Sequence, residues 1–134
     1  MTLRAMLDTN IVSSLMRLGQ GALWNKMHHF GAHHIGVSII SAAELRFGAE
    51  AKGSARLTKE VEDFLHDIAV LPFAAPADAH YAQIRAYLKR AGTPIGGNDL
   101  FIAAHALALD LTLVTDNIRE FSRVPNLRVE NWLD

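Results

Sequence analysis

Asp8, Glu44, Asp99 and Asp116 each stand beside an apolar segment, and four carboxylates so placed could share one cation. Asp8 closes the apolar run 3–7 and Asp116 follows the run 111–114. Asp99 opens an Ala/Leu-rich stretch, and Glu44 lies among Ile39, Ile40, Ala42, Ala43, Leu45 and Phe47. A carboxylate next to a core is costly unless something pairs with it, and a shared cation keeps several ionised together. Hard oxygen donors without Cys or His suit Mg²⁺ or Mn²⁺, and such an ion can activate a water against a phosphodiester. Thr9, Asn10, Ser41, Asn98, Thr115 and Asn117 are small polar neighbours able to orient the carboxylates. An Asp at a strand end can equally be a simple helix cap, whereas Glu44 in its apolar surroundings is more readily a ligand.

Other chemistries find less support. His28, His29, His33 and His34 cluster, but no nearby carboxylate completes a transition-metal site, so they read as a solvated face. His105 reads as a packing or hydrogen-bonding residue. Gly96-Gly97 lacks the Gly-Lys-Ser/Thr ending of a phosphate loop and serves a tight turn before Asp99. No Ser/His/Asp arrangement stands out. Without cysteine, disulfides and thiolate metal sites are excluded, which fits a reducing cytoplasm.

The residues that must hold these carboxylates follow an alternating pattern. Short apolar runs at 3–7, Ile35–Ser38, 70–73, 111–114 and 127–129 read as strands, the last as an edge. Helical stretches read at 10–18, Ala22–Phe30, 41–51, 56–68, 76–90 and 98–109, with Asp8 or Thr9 capping the first and Ser38 or Ser41 the third. Such alternation indicates a parallel sheet covered on both faces. In open sheets of this kind ligands bind beyond the carboxyl ends of the strands, where all four acids can reach. The 134 residues suggest one domain spanning 1–134, half of them apolar and a fifth charged. No run approaches the ~18 apolar residues of a membrane-spanning helix. The net charge of −1 lacks the basic footprint of an autonomous nucleic-acid binder. A nucleic-acid role would rest on a metal, a second subunit or local cations, with Arg17, Arg46, Arg85, Arg90, Arg119 and Arg123 as candidates.

Four segments, in order, resemble the motifs of PIN-domain nucleases: Met6-Leu7-Asp8-Thr9-Asn10; Ser41-Ala42-Ala43-Glu44-Leu45-Arg46-Phe47-Gly48; Gly96-Gly97-Asn98-Asp99-Leu100-Phe101-Ile102-Ala103-Ala104-His105-Ala106; and Leu113-Val114-Thr115-Asp116-Asn117 with Arg119-Glu120-Phe121. The tail 127–132 is similar to that of the VapC branch, the toxins of VapBC toxin–antitoxin pairs. The resemblance implies a three-layer α/β/α sandwich and a Mg²⁺-dependent endoribonuclease acting on RNA, tRNA among the candidates. It also implies a VapB-type antitoxin, a homodimer, and no membrane association. Asp8, Glu44 and Asp99 carry over as metal ligands. The fourth position is open among Asp116, Asn117 and Glu120, because the family's acid often falls where this chain has Asn117. Leu15, Leu18, Leu23, Trp24 and Met27 are either core or a groove for an antitoxin helix, with Leu23 and Trp24 marking the groove. The alternatives are a non-catalytic PIN-like interaction module, or a metal-dependent phosphatase or DNA nuclease using the same acids.

Overall fold

The computed structural model describes residues 2–133. Five parallel strands form one sheet in the order β3-β2-β1-β4-β5: β1 Ala5–Leu7, β2 Ile35–Ser38, β3 Ala69–Leu71, β4 Thr112–Val114 and β5 Val129–Glu130. The helices are α1 Thr9–Leu18, α2 Ala22–Phe30, α3 Ile39–Lys52, α4 Ala55–Asp67, α5 Ala77–Ala91, α6 Gly97–Ala108 and α7 Ile118–Phe121. The expected three-layer α/β/α sandwich is the observed one.

The central strand explains the layering. Successive side chains of β1 alternate between faces, and all three are fully buried. Ala5 and Leu7 join Ile11, Val12, Val37, Leu45, Val61 and Trp132 on one side. Met6 points the other way, into Ile102, Ala103, Leu113 and Phe121. A strand buried on both faces must be continuously apolar, which is why its first polar residue, Asp8, marks its end.

Caps set the helix starts. The Asp8 carboxylate accepts from Thr9 N (2.7 Å), so Asp8 rather than Thr9 caps α1. Ser38 accepts from Ile40 N (3.0 Å) and starts α3 directly after β2. Ser54 accepts from Leu57 N (3.1 Å), which begins α4 at Ala55, one residue earlier than its apolar spacing suggests. Gly53 ends α3 in the left-handed region (φ 60°), where a side chain would be strained.

Three differences from the sequence reading have local causes. The third strand stops at Leu71, not residue 73, since Pro72 has no N–H to give the ladder. The edge strand is Val129–Glu130, not 127–129: Asn126 turns the chain at φ 67° and Leu127 N bonds back to Val124 O, so pairing with Leu113 and Val114 begins two residues later. The segment after Asn117, which carried only a motif, forms the short helix α7, with Phe121 locked in the core.

Candidate active site

The site lies at the carboxyl edge of the sheet, where β1 is flanked by β2 and β4. Register places Leu7 opposite both Val37 and Val114. The residues just beyond, Asp8 and Thr115, therefore meet although 107 positions separate them. Asp8 N donates to Val114 O (2.9 Å) and Thr115 Oγ1 donates to Asp8 Oδ2 (2.8 Å). Thr115 Oγ1 itself accepts from Asn117 N (3.0 Å), which fixes its proton toward Asp8.

Glu44, in the second turn of α3, is held at both oxygens. Thr9 Oγ1 donates to Oε1 (2.6 Å) and Asn98 Nδ2 donates to Oε2 (3.1 Å). Those two contacts tie α1 and α6 to α3. Asp99, in the first turn of α6, faces the same space: Asp8, Glu44 and Glu120 all act on it electrostatically.

Of the three candidates for the fourth position, Glu120 is the one built into the site. Its Oε1 accepts from Gly96 N (2.9 Å), its Oε2 accepts from Asn117 Nδ2 (2.8 Å), and it shares a hydrogen bond with Asp99. A Cβ added at Gly96 would sit 3.4 Å from Asp99 Oδ2 and 3.8 Å from Glu120 Oε1, so the turn passes directly beneath the pair. Asn117 spends its amide group on Glu120. Asp116 is exposed, makes no hydrogen bond among the described residues, and reaches Asp8 only through its charge. The sequence carries one sign of this: Glu120 stands three residues after Asn117, neighbours on a helical turn. The Gly96 contact, across 24 residues, has no local signature.

The electrostatics are those of crowded like charges. Burial raises the Asp99 carboxyl to about 7, helped by the hydrogen bond to Glu120 and by the charges of Asp8, Glu120 and Glu44. Burial also raises Asp8, with Glu44 and Asp116 adding to it while Thr115 and Thr9 oppose. Glu120 moves the other way, lowered chiefly by the Gly96 N–H. At neutral pH Asp99 thus shares a proton with Glu120, a state that a cation would replace.

Among the described residues no three His, Asp or Glu side chains close on one point as a ready-made cage. Mg²⁺ does not require one: it retains several waters and binds through one or two carboxylates plus substrate phosphates. Oxygen-only donors, two of them held by hydroxyl and amide groups and one driven toward neutrality by burial and by its acidic neighbours, fit such an ion.

The remaining candidates fall outside this centre. His105 is buried, and its Nδ1 lies 2.8 Å from Ser38 Oγ, linking α6 to the cap of α3. Its Nε2 has no partner in good geometry, although the Pro72 backbone is near enough to act on the ring. His28, His29 and His33 are exposed; His28 stacks on Trp24 at 3.7 Å. Leu23 is 4% exposed and belongs to the core, which corrects its place in the groove. Trp24 does line an apolar groove of about 310 Å³, with Leu15, Met16, Met27, Phe64 and Ile68. Leu18 is 55% exposed, so it is neither core nor groove. Arg46 is engaged by Glu62 (2.9 Å), and Arg123 donates to Pro94 O (3.2 Å) beside Glu120.

Comparison with known proteins follows the same outline. The family model described as PIN domain matches residues 5–127. A Haemophilus influenzae protein, "Ribonuclease VapC2", is 40% identical over 132 residues, covering 98% of this chain and 99% of the relative. The "tRNA(fMet)-specific endonuclease VapC" of Salmonella typhimurium is 37% identical over 137 residues, covering 97% and 98%. In the crystal structure of VapBC2 from Rickettsia felis bound to a DNA fragment from their promoter, one chain superposes with a TM-score of 0.90 at 36% identity, covering 97% of this chain and 99% of that one.

Proposed function

Since the chain belongs to the PIN-domain family, in its VapC branch, we propose that it is a Mg²⁺-dependent endoribonuclease and the toxin of a VapBC-type pair. The observation that carries the chemistry is the meeting of Asp8, Glu44 and Asp99 at one sheet edge, with Thr9 bonded to Glu44 and Thr115 to Asp8. Asp8, Glu44 and Asp99 are the residues to hold the ion, with Glu120 as the fourth acid and exposed Asp116 at the rim. A divalent ion bound there supplies Lewis-acid neutralisation of phosphate charge and a lowered pKa for water.

The chain's own residues do the positioning. Thr9 and Asn98 fix the direction in which Glu44 presents its oxygens. Thr115 and the Thr9 N–H do the same for Asp8. Glu120, anchored on Gly96 and Asn117, is the acceptor for the proton that Asp99 carries near neutral pH. No side chain in this set is a nucleophile, so water attacks the phosphorus. The relative in Salmonella typhimurium is named for tRNA(fMet), which makes tRNA the first substrate class to assay here.

The Trp24 groove, apolar and lying between α1, α2 and α4, suits the apolar face of an antitoxin segment. Ile39, Ala43 and Phe47 form an exposed strip on α3 that supports a homodimer, which sedimentation measures. Working on RNA beside an antitoxin places the protein in the cytoplasm, and among the described residues no helix is long and apolar enough to cross a membrane.

Incubation of the purified protein with total RNA and with tRNA, with Mg²⁺ or with EDTA, tests the reading. Cleavage that requires Mg²⁺ and disappears in Asp8→Asn supports it. Cleavage at the wild-type rate in that variant overturns the assignment.

A further inference from the structure

An acidic centre on a chain of net charge −1 repels the polyanion it must cut, so cations elsewhere have to hold the strand. Several basic residues of α3 and α4 are already paired with acids. Arg46 pairs with Glu62 at 2.9 Å, Arg56 with Glu60 at 2.7 Å and Lys59 with Asp63 at 2.7 Å. Arg17 and Lys52 have no acidic partner among the described residues.

These two cations line one groove. It measures about 600 Å³, begins at Thr9 and Glu44, and continues between α1, α3 and α4 past Ser13, Gly48 and Ser54. Its start is the hydrogen-bonded Thr9–Glu44 pair of the acidic centre. Arg17 lies eight residues beyond Thr9 on α1, and Lys52 lies eight residues beyond Glu44 on α3. At 1.5 Å per residue each stands ~12 Å along its helix from that pair. The two helices thus carry their free cations to matching depths on facing walls. Both residues occupy last helical turns, where a cation is favoured by the helix dipole alone. The dipole does not, however, select the wall of a shared groove. Gly48 leaves that wall open, since a Cβ there would meet nothing within 4 Å.

We propose that this groove carries the RNA strand to or from the acidic centre, with Arg17 and Lys52 gripping a backbone phosphate a few nucleotides from the scissile bond. Ser13 and Ser54 are hydroxyls placed to bond sugar or phosphate oxygens along the way. The charge of the walls favours a polyanion over a peptide segment. The inference rests on the nuclease reading above and adds the path of its substrate.

The test is cleavage of a structured RNA by the full chain in Mg²⁺, at substrate concentrations below saturation, across a salt series. Arg17→Gln/Lys52→Gln is expected to lower kcat/KM by tenfold or more. It should also make the dependence of log kcat/KM on log salt shallower by about 0.7, the contribution of roughly one single-strand phosphate contact. Arg17→Lys/Lys52→Arg should restore both. A loss of rate with an unchanged salt slope would mean structural damage and overturn the proposal. Unchanged RNA cleavage with weakened antitoxin binding would assign the groove to the antitoxin and overturn it equally. If the wild type cuts no RNA, the nuclease reading itself has failed, and the groove falls with it.

Discussion

Asp99 is the residue on which the site's charge balance turns. Its folded pKa of about 7 lies above the ordinary carboxyl value of 3.8, so between those limits the folded chain binds more protons than the unfolded one. Stability from this group is therefore full below about pH 4 and is lost as pH rises through about 7. Glu120, whose pKa is lowered, has the opposite sign. In EDTA, Asp99→Asn should melt higher than wild type at pH 8 and match it near pH 4, while cleavage is abolished; a lower melting temperature at pH 8 would contradict the repulsion. Mg²⁺ or Mn²⁺ should raise the wild-type melting temperature by several degrees at pH 8, and far less at pH 5 where protons compete. An ion at a hundred times its dissociation constant contributes about 2.7 kcal/mol, readable by calorimetry. At this scale the sequence points to Asp8, Glu44 and Asp99 because each lies against an apolar stretch. Glu120 is one of three candidates for the fourth position, and what singles it out is the Gly96 contact across 24 residues.

Among the elements, β2 has little room to change. Gly36 faces β3, where an added Cβ would lie 3.0 Å from Leu71 Cδ1 and 3.1 Å from the Ala69 carbonyl oxygen. Backbone cannot give way as a side-chain tip can, so Gly36→Ala should cost about 1–3 kcal/mol and lower the melting temperature on the order of 5–10 °C. An unchanged melting curve would show that β3 is free to move outward. Strand β3 is an edge and its residues are only partly buried, which locates any such give. The sequence made β1 and β2 legible through short apolar runs, but it left the α3 cap open between Ser38 and Ser41, and the helix begins two residues before the 41–51 stretch. It hid the start of β5, which depends on a left-handed Asn126, and it hid α7, whose single turn is too short for any periodicity to register.

For the molecule as a whole, the acids predict the chemistry of the cut ends. Water attacking phosphorus in line with the 3′ oxygen breaks that P–O bond and leaves a 3′-hydroxyl and a 5′-phosphate. A histidine-based ribonuclease would instead use the RNA 2′-hydroxyl and leave a 2′,3′-cyclic phosphate. The seven histidines make that comparison worth running, yet His105 is buried and at least three others stand exposed on the α2 side. End-mapping by ligation and phosphatase treatment should find 5′-phosphates, and none formed in EDTA. The opposite side of α1 predicts the antitoxin contact. Trp24→Ala removes the aromatic wall of the apolar groove and should weaken antitoxin binding more than tenfold, as truncating a buried interfacial Trp commonly costs 2 kcal/mol or more. Titration calorimetry measures it. The layer architecture was readable from the alternation of strands and helices, but which apolar residues turn outward was not: Leu23 and Trp24 are adjacent and alike in hydrophobicity, and only the packing of α2 sends one into the core and the other to the groove.

The position of β1 in the middle of the sheet has a consequence for how the protein is made. Its neighbour β2 leaves the ribosome soon after it, whereas its other neighbour, β4, is more than a hundred residues downstream. Thr115, which orients Asp8, and Glu120, which partners Asp99, arrive with or after β4. Long-range parallel pairing forms late because the intervening chain must first be closed into a loop. A nascent chain therefore carries Asp8 and Glu44 for most of its synthesis without the partners that complete the centre. A chain broken off before β4 lacks Thr115 and Glu120, and with them the hydrogen bonds that order Asp8 and Asp99.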